Sequence, residues 1–250
     1  MSKKLEVNKE TWDIVAPQFY GHSSLPQWGP FGVGRDSPEL IGKIKGRSFL
    51  ELGCGSGHSI KYLIEKGAKK VYGMDISEAQ LEYTRKLNYA AIADGRVELF
   101  NGPMEKKIKI KPIDTVFSIY GFGWTTNPKK TLKNIHSYLS PGGRFIWSWD
   151  HTIFTNVQYQ NGKFAVVYSY HDDKEVFLRN WKGGKGAFIT YRKTATWFQM
   201  LTKAGFQVAQ YLEPKPLTFT KKSLDPNMYY SAQKAKLLPS TMIFVCNRAL

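Results

Sequence analysis

From residue 48 onward, short continuous apolar runs alternate with stretches whose apolar residues recur three and four positions apart. The first pattern suits buried strands and the second amphipathic helices. Residues 48–52, 71–74, 97–100, 114–120 and 143–149 read as strands, with helices over 58–66, 78–88 and 127–139. Strands separated by helices of this length predict a parallel sheet covered on both faces. Ser77 with Gln80 predicts a capping box, and Asn127 followed by Pro128 predicts an N-cap with proline in the first helical position. Residues 140–143, Ser-Pro-Gly-Gly, must turn.

The flanks differ from this core. Trp12, Val15, Ala16, Phe19 and Tyr20 lie at helical spacing over residues 10–20, ahead of a Gly/Pro-rich loop over 21–34. Beyond Asp150, residues 164–170, 176–180 and 188–191 read as short antiparallel strands, an insertion on the ligand side of the sheet. A helix over 194–204, a strand over 206–212, a Pro/Lys loop and a strand over 242–247 finish the chain. The whole 1–250 is expected to be a single domain, divided into a helical lid (1–47), a core (48–151), an insertion (152–193) and a closing helix with strands (194–250).

The chain carries 36 Lys and Arg against 20 Asp and Glu, a net charge of +16. About +2 of this falls in residues 1–50, +5 in 51–150 and +9 in 151–250. Much of it is scattered lysine rather than a basic face interleaved with aromatics, so a solvated surface is the favoured reading and an anionic substrate or RNA the weaker one. No apolar run reaches 18 residues and the amino end lacks a signal-like stretch, which predicts a cytoplasmic protein without a membrane partner. Cys54 and Cys246 are the only cysteines, so neither a disulfide framework nor a zinc site is expected.

Candidate chemistry concentrates after the first strand. Gly53, Gly55 and Gly57 alternate between that strand and a helix, where backbone can approach a ligand and helix amides can point at it. The next strand ends in Asp75, a carboxylate placed to accept from both hydroxyls of a ribose. Glu51 adds an acidic group under the loop. A dinucleotide fingerprint would place its third glycine where this chain has His58.

Leu50-Glu51-Leu52-Gly53-Cys54-Gly55-Ser56-Gly57, then Gly73-Met74-Asp75-Ile76-Ser77, resembles the donor-binding core of the class I S-adenosylmethionine-dependent methyltransferases. The resemblance continues through Asn101-Gly102-Pro103-Met104-Glu105, Asp114-Thr115-Val116-Phe117-Ser118 and Leu139-Ser140-Pro141-Gly142-Gly143. It implies an α/β fold with a doubly wound, mostly parallel, seven-stranded Rossmann-like sheet. The implied cofactor is S-adenosylmethionine, leaving as S-adenosylhomocysteine. Gly53, Cys54, Gly55 and Gly57 would then lie against the methionine part and ribose, and Asp75 would hold the ribose. Ile76 and Met104 would sandwich the adenine, with Gly102 or Pro103 at its edge; Glu51, Gln80 and Ser118 are further candidate contacts. Tyr20, at the end of the amino-terminal helix, would reach the methionine end. Core packing remains an alternative for Ile76 and Met104, as does an internal hydrogen bond for Glu51.

No fixed catalytic residue follows from such a fold; His151, His22 and Tyr120 are the candidates near the ligand face. Ser118-Ile119-Tyr120-Gly121-Phe122 departs from the Asn/Asp-Pro-Pro-aromatic motif of enzymes that methylate base amines. Tyr120, Phe122, Trp124, Trp147 and Trp149 suggest an aromatic pocket for a small-molecule acceptor. RNA methylation and regulatory donor binding without turnover are the alternatives. Residues 20–31 and the inserted strands are expected to roof the pocket, with His22 facing the cofactor.

Overall fold

The computed structural model describes residues 1–249. Its centre is a seven-stranded sheet in the order β10-β11-β5-β4-β1-β2-β3. The strands are β1 (Ser48–Leu52), β2 (Lys70–Asp75), β3 (Val97–Asn101), β4 (Ile113–Ile119), β5 (Leu139–Asp150), β10 (Phe206–Leu212) and β11 (Thr241–Arg248). β1 to β5 pair in parallel, while β11 runs antiparallel to both β5 and β10. The sheet is therefore mostly parallel and doubly wound. One apolar cluster forms around Leu50, Phe122, Trp147 and Trp197, and a second around Phe49, Ile60, Val71 and Phe117. Adjacent β1 residues thus feed different clusters, as strand alternation requires.

The helices are α1 (Lys3–Val15), α2 (His58–Glu65), α3 (Glu78–Leu87), α4 (Tyr89–Ala93), α5 (Pro128–Tyr138), α6 (Thr152–Asn156), α7 (Thr194–Lys203) and α8 (Ala232–Leu237). Asn127 caps α5 through the Lys130 amide, with Pro128 in the first turn, as the sequence predicts. The capping box at Ser77 is only half formed. Ser77 Oγ accepts from the Gln80 amide, but the Gln80 side chain turns away to the Ala16 carbonyl.

Helix α1 begins seven residues earlier than the apolar spacing predicts. Its buried face carries polar Asn8 and Thr11, which escape a search for apolar periodicity. Asn8 pairs with both backbone groups of Phe188, and Thr11 donates to the Gly186 carbonyl, so a polar face is satisfied by backbone. Residues 140–143 turn within β5, where pairing with β4 shifts register between Ile113 and Thr115.

The insertion consists of two hairpins. β6 (Val157–Gln160) pairs with β7 (Lys163–Val166), and β8 (Lys174–Leu178) with β9 (Ala187–Tyr191). The first hairpin replaces the single strand expected over 164–170; its turn is Asn161-Gly162, both with positive φ. The supposed Pro/Lys loop contains α8 and a 3-10 turn at Lys221–Leu224. No helix among the described residues is long and apolar enough to cross a membrane.

Candidate active site

Strand order reverses between β1 and β4, each neighbour of which continues in the opposite direction across the sheet. In open α/β sheets, the crevice beyond the carboxyl ends at such a point is where ligands bind. Here it opens into a cavity of about 1120 Å3. Gly53 follows β1 with φ +73°, and a Cβ there would meet the Gly121 Cα at 3.0 Å. The two post-strand turns therefore touch backbone to backbone at the crevice floor.

The glycine loop is pinned from below and from the side. The Gly53 and Cys54 amides both donate to the Met74 carbonyl, at 2.8 and 3.1 Å. The Gly55 amide donates to Asp75 Oδ2 at 2.8 Å, and the Ser77 amide to Asp75 Oδ1 at 2.9 Å. Each Asp75 oxygen thus keeps one lone-pair direction free. Burial pushes the Asp75 carboxyl up to about 6, against the opposing pull of those amides. Glu51 is wholly buried and pushed up by burial too, and its Oε2 has no hydrogen-bond partner; Gln80 Oε1 is likewise unpartnered. Burial raises the Cys54 thiol well above its usual range, so it stays protonated as small filler.

Glu51, Gly53, Cys54, Gly55, Asp75, Ile76, Gln80, Gly102, Pro103 and Met104 all line the cavity. Tyr120 and His22 also line it. The remaining four candidates do not. Gly57 caps α2 in a left-handed conformation, facing Thr84 and Asn88. Ser118 is fully buried and donates to the Leu52 carbonyl at 2.6 Å, bonding β4 to β1. Tyr20 is half exposed, edge-on to His58 and Tyr83. His151 is held by structure at both ring nitrogens: Nδ1 accepts from the Ile153 amide to cap α6, and Nε2 lies 2.7 Å from Glu213. Burial also depresses its pKa, despite Glu213.

The aromatic wall is narrower than the sequence suggests. Tyr120, Trp124 and Trp149 line the cavity, whereas Phe122 and Trp147 lie in the core. Gly123 is what lets Trp149 reach the wall, since a Cβ there would stand 1.9 Å from its ring. On the roof, Trp12 meets Phe19, Trp124 and Trp181 with ring centroids 5.0 to 5.3 Å apart. Residues 21–24, Gln27 and residues 29–32 with the β8–β9 hairpin supply more of the lining, but β6–β7 does not. Trp28 is buried against Phe117 rather than facing the cavity.

Sequence reasoning missed two sets of lining residues. Glu105, buried, accepts from the Thr125 and Thr126 hydroxyls and the Thr126 and Asn127 amides, fixing the loop before α5. Thr218, Thr220, Met228, Tyr229 and Tyr230 come from the segment dismissed as a Pro/Lys loop. The Leu217 and Thr218 amides donate to the Phe31 carbonyl, joining that segment to the amino-terminal loop. The run Met228-Tyr229-Tyr230 was the available signal. It was passed over because it has neither strand nor helix periodicity.

Residues 50–147 match the family model described as a methyltransferase domain. A Haemophilus influenzae protein of uncharacterized function is 35% identical over 185 residues, which is 70% of this chain and 73% of that protein. The tRNA U34 carboxymethyltransferase of Idiomarina loihiensis is 30% identical over 105 residues, covering 41% of this chain but only 32% of that enzyme. Among solved structures, an S-adenosylmethionine dependent methyltransferase of Mesorhizobium loti is similar with a TM-score of 0.69 and 22% identity, covering 86% of this chain and 97% of that one.

Proposed function

Since the chain belongs to the class I S-adenosylmethionine-dependent methyltransferases, we propose that it methylates an oxygen or nitrogen of a small molecule. The observation that carries this reading is the roof. Residues 21–32, the β8–β9 hairpin and residues 218–230 all contribute walls to one cavity of about 1120 Å3. That volume lies just above the roughly 300–1,000 Å3 of single small-molecule sites, leaving room for a nucleoside donor beside a compact acceptor.

The residues present fit the donor. Its ammonium and sulfonium are cations, and the buried Glu51 carboxyl has an unpartnered oxygen in this cavity. Glu51 and Gln80 would face the methionine part, Asp75 the ribose, and Ile76, Gly102, Pro103 and Met104 the adenine. When bound, the donor supplies an electrophilic methyl group whose leaving group departs neutral. The protein's work is then alignment, exclusion of water and, where the acceptor needs it, removal of a proton.

RNA is the second reading, supported by the name of the Idiomarina relative and by the +16 charge. That match covers 105 residues, less than half of this chain and about a third of that enzyme, so it speaks for a part of each protein only. Incubation with labelled donor and a cell extract split into metabolite, RNA and protein fractions tests the choice. Label in the metabolite fraction is the expected result; label confined to RNA or protein would replace this reading.

A further inference from the structure

Asp150 ends β5 on the β4–β5 side of the cavity, across the switch point from Asp75. Its carboxylate is buried in the wall, with Oδ1 accepting from the Tyr230 hydroxyl at 2.7 Å and Oδ2 from the Tyr229 hydroxyl at 3.1 Å. The Tyr120 hydroxyl also bears on this carboxylate, so one of its four lone-pair directions remains for a ligand. No ion-pair partner for Asp150 exists among the described residues. The cation nearest in effect is Lys234, whose ammonium is turned to the Phe154 and Val157 carbonyls and sits 4.8 Å from the Tyr229 ring centroid. Tyr229 thus stands between the two charges.

Around this carboxylate the lining is aromatic. Trp149 adjoins it in sequence, Tyr120 lies 5.7 Å from Trp149 ring to ring, and Tyr191 faces in from β9. The Tyr120 hydroxyl is engaged by Thr241 at 2.7 Å and by Asp150, leaving its ring as the surface on offer. Aromatic walls around a carboxylate favour a flat or cationic group and disfavour an anion, which would meet an unneutralised charge in a dry wall. An N–H donor on a planar ring satisfies both features at once.

We propose that Asp150 is a catalytic residue that binds the acceptor, and that the acceptor is a planar ring bearing a weakly basic nitrogen. This rests on the methyltransferase reading and names its substrate class. In the transfer, the nitrogen lone pair forms the new bond to carbon while the broken carbon–sulfur pair stays on sulfur. The attacking nitrogen is the unprotonated one of the ring; the proton leaves the second ring nitrogen, whose N–H faces Asp150, and passes to that carboxylate and then to solvent. Burial pushes Asp150 up to about 6, close to the ~6.5 of an imidazole, so that handover is nearly level in energy. Burial keeps Tyr120, Tyr229 and Tyr230 protonated, so they orient the carboxylate rather than compete for the proton. Tyr191 is also raised, to about 12, and Lys234 is lowered to about 8.

Calorimetry on the full chain saturated with S-adenosylhomocysteine tests this with three probes of similar shape: benzimidazole, benzofuran and benzofuran-2-carboxylate. Benzimidazole is expected to bind roughly 10- to 150-fold more tightly than benzofuran, the range for a hydrogen bond to a charged group, with the carboxylate weakest. Asp150→Asn should reduce that preference to within about threefold while leaving S-adenosylhomocysteine affinity unchanged. Equal binding of benzimidazole and benzofuran, a preference for the carboxylate, or an unaltered preference in the variant would overturn the assignment. The wild-type comparison decides the matter even if the variant does not fold. Failure of S-adenosylhomocysteine itself to bind would instead remove the donor reading beneath it.

Discussion

The Gly21 amide donates to Ser56 Oγ over 2.9 Å, tying the amino-terminal segment to the glycine loop. Four residues on, the Leu25 amide donates to Ser59 Oγ at 3.2 Å, and Trp28 is buried beneath. The roof is therefore anchored on the donor side at residues 21, 25 and 28, while the stretch between them lines the cavity. Ser56→Ala removes one anchor, worth about 0.5–1.5 kcal/mol or roughly 2- to 10-fold in local opening. Limited proteolysis within residues 21–34 should accelerate by that factor and slow again on addition of S-adenosylhomocysteine. Cleavage equally slow with and without ligand, in both proteins, would mean that this segment is fixed structure.

Asp75 offers a test of the donor side. Its carboxylate already orders the glycine loop through the Gly55 amide, so the side chain has a structural role besides any ligand contact. Asp75→Ala should raise the dissociation constant for S-adenosylhomocysteine roughly 10- to 150-fold. Asp75→Asn, which keeps one acceptor oxygen, should lose less. Unchanged affinity in a folded Asp75→Ala protein would take Asp75 out of the site.

The glycine-loop side of the cavity was legible in the sequence because its geometry is backbone geometry. Gly53, Gly55 and Asp75 recur at fixed distances along one strand-loop-helix-strand unit, and local spacing fixes their geometry. The side around Asp150 was not legible for the opposite reason. Tyr229 and Tyr230 reach Asp150 from some 80 residues away along the chain, through a segment without regular periodicity. His151 misled because a histidine after the fifth strand looks catalytic until Glu213, 62 residues on, is found to hold its ring. Asn8 and Thr11 hid seven residues of α1, since polar side chains bonded to an edge strand bury a helix face without apolar periodicity.

Two buried carboxyls raised to about 6 give a pH signature in the ligand-free protein. A carboxyl whose folded pKa lies above its unfolded value of 3.8 binds more protons folded than unfolded between those limits, so stability falls as pH rises from about 4 to about 6. The cost is full above 6 and absent well below 3.8. Removing one such charge in Asp150→Asn should stabilise the apo protein at pH 7.5, by up to about 3 kcal/mol for two pKa units. The gain should fade toward pH 4. Thermal melts of both proteins across this range decide it: a variant less stable than wild type at pH 7.5 would mean that the tyrosine hydrogen bonds outweigh the burial of charge.

The charge of +16 makes its own prediction about RNA. The excess lies mostly in the last hundred residues, on exposed lysines such as Lys203, Lys221 and Lys236, while the cavity wall holds the acidic Glu51, Asp75, Glu105 and Asp150 beside Lys182 and Lys222. A polyanion is thus drawn chiefly to the outside of the molecule, where most of the lysines lie. Binding to mixed RNA should be weak and should fall steeply with salt, with a log–log slope of about −0.7 per phosphate contact for single strands. Sequence should matter little, because phosphate contacts fix position without reading bases. Filter binding at several salt concentrations provides the measurement, with Lys221→Glu/Lys236→Glu as the comparison. A tight complex that is selective for one RNA and persists at physiological salt would mean that the lysines form a reading surface, and the acceptor would then have to be sought in RNA.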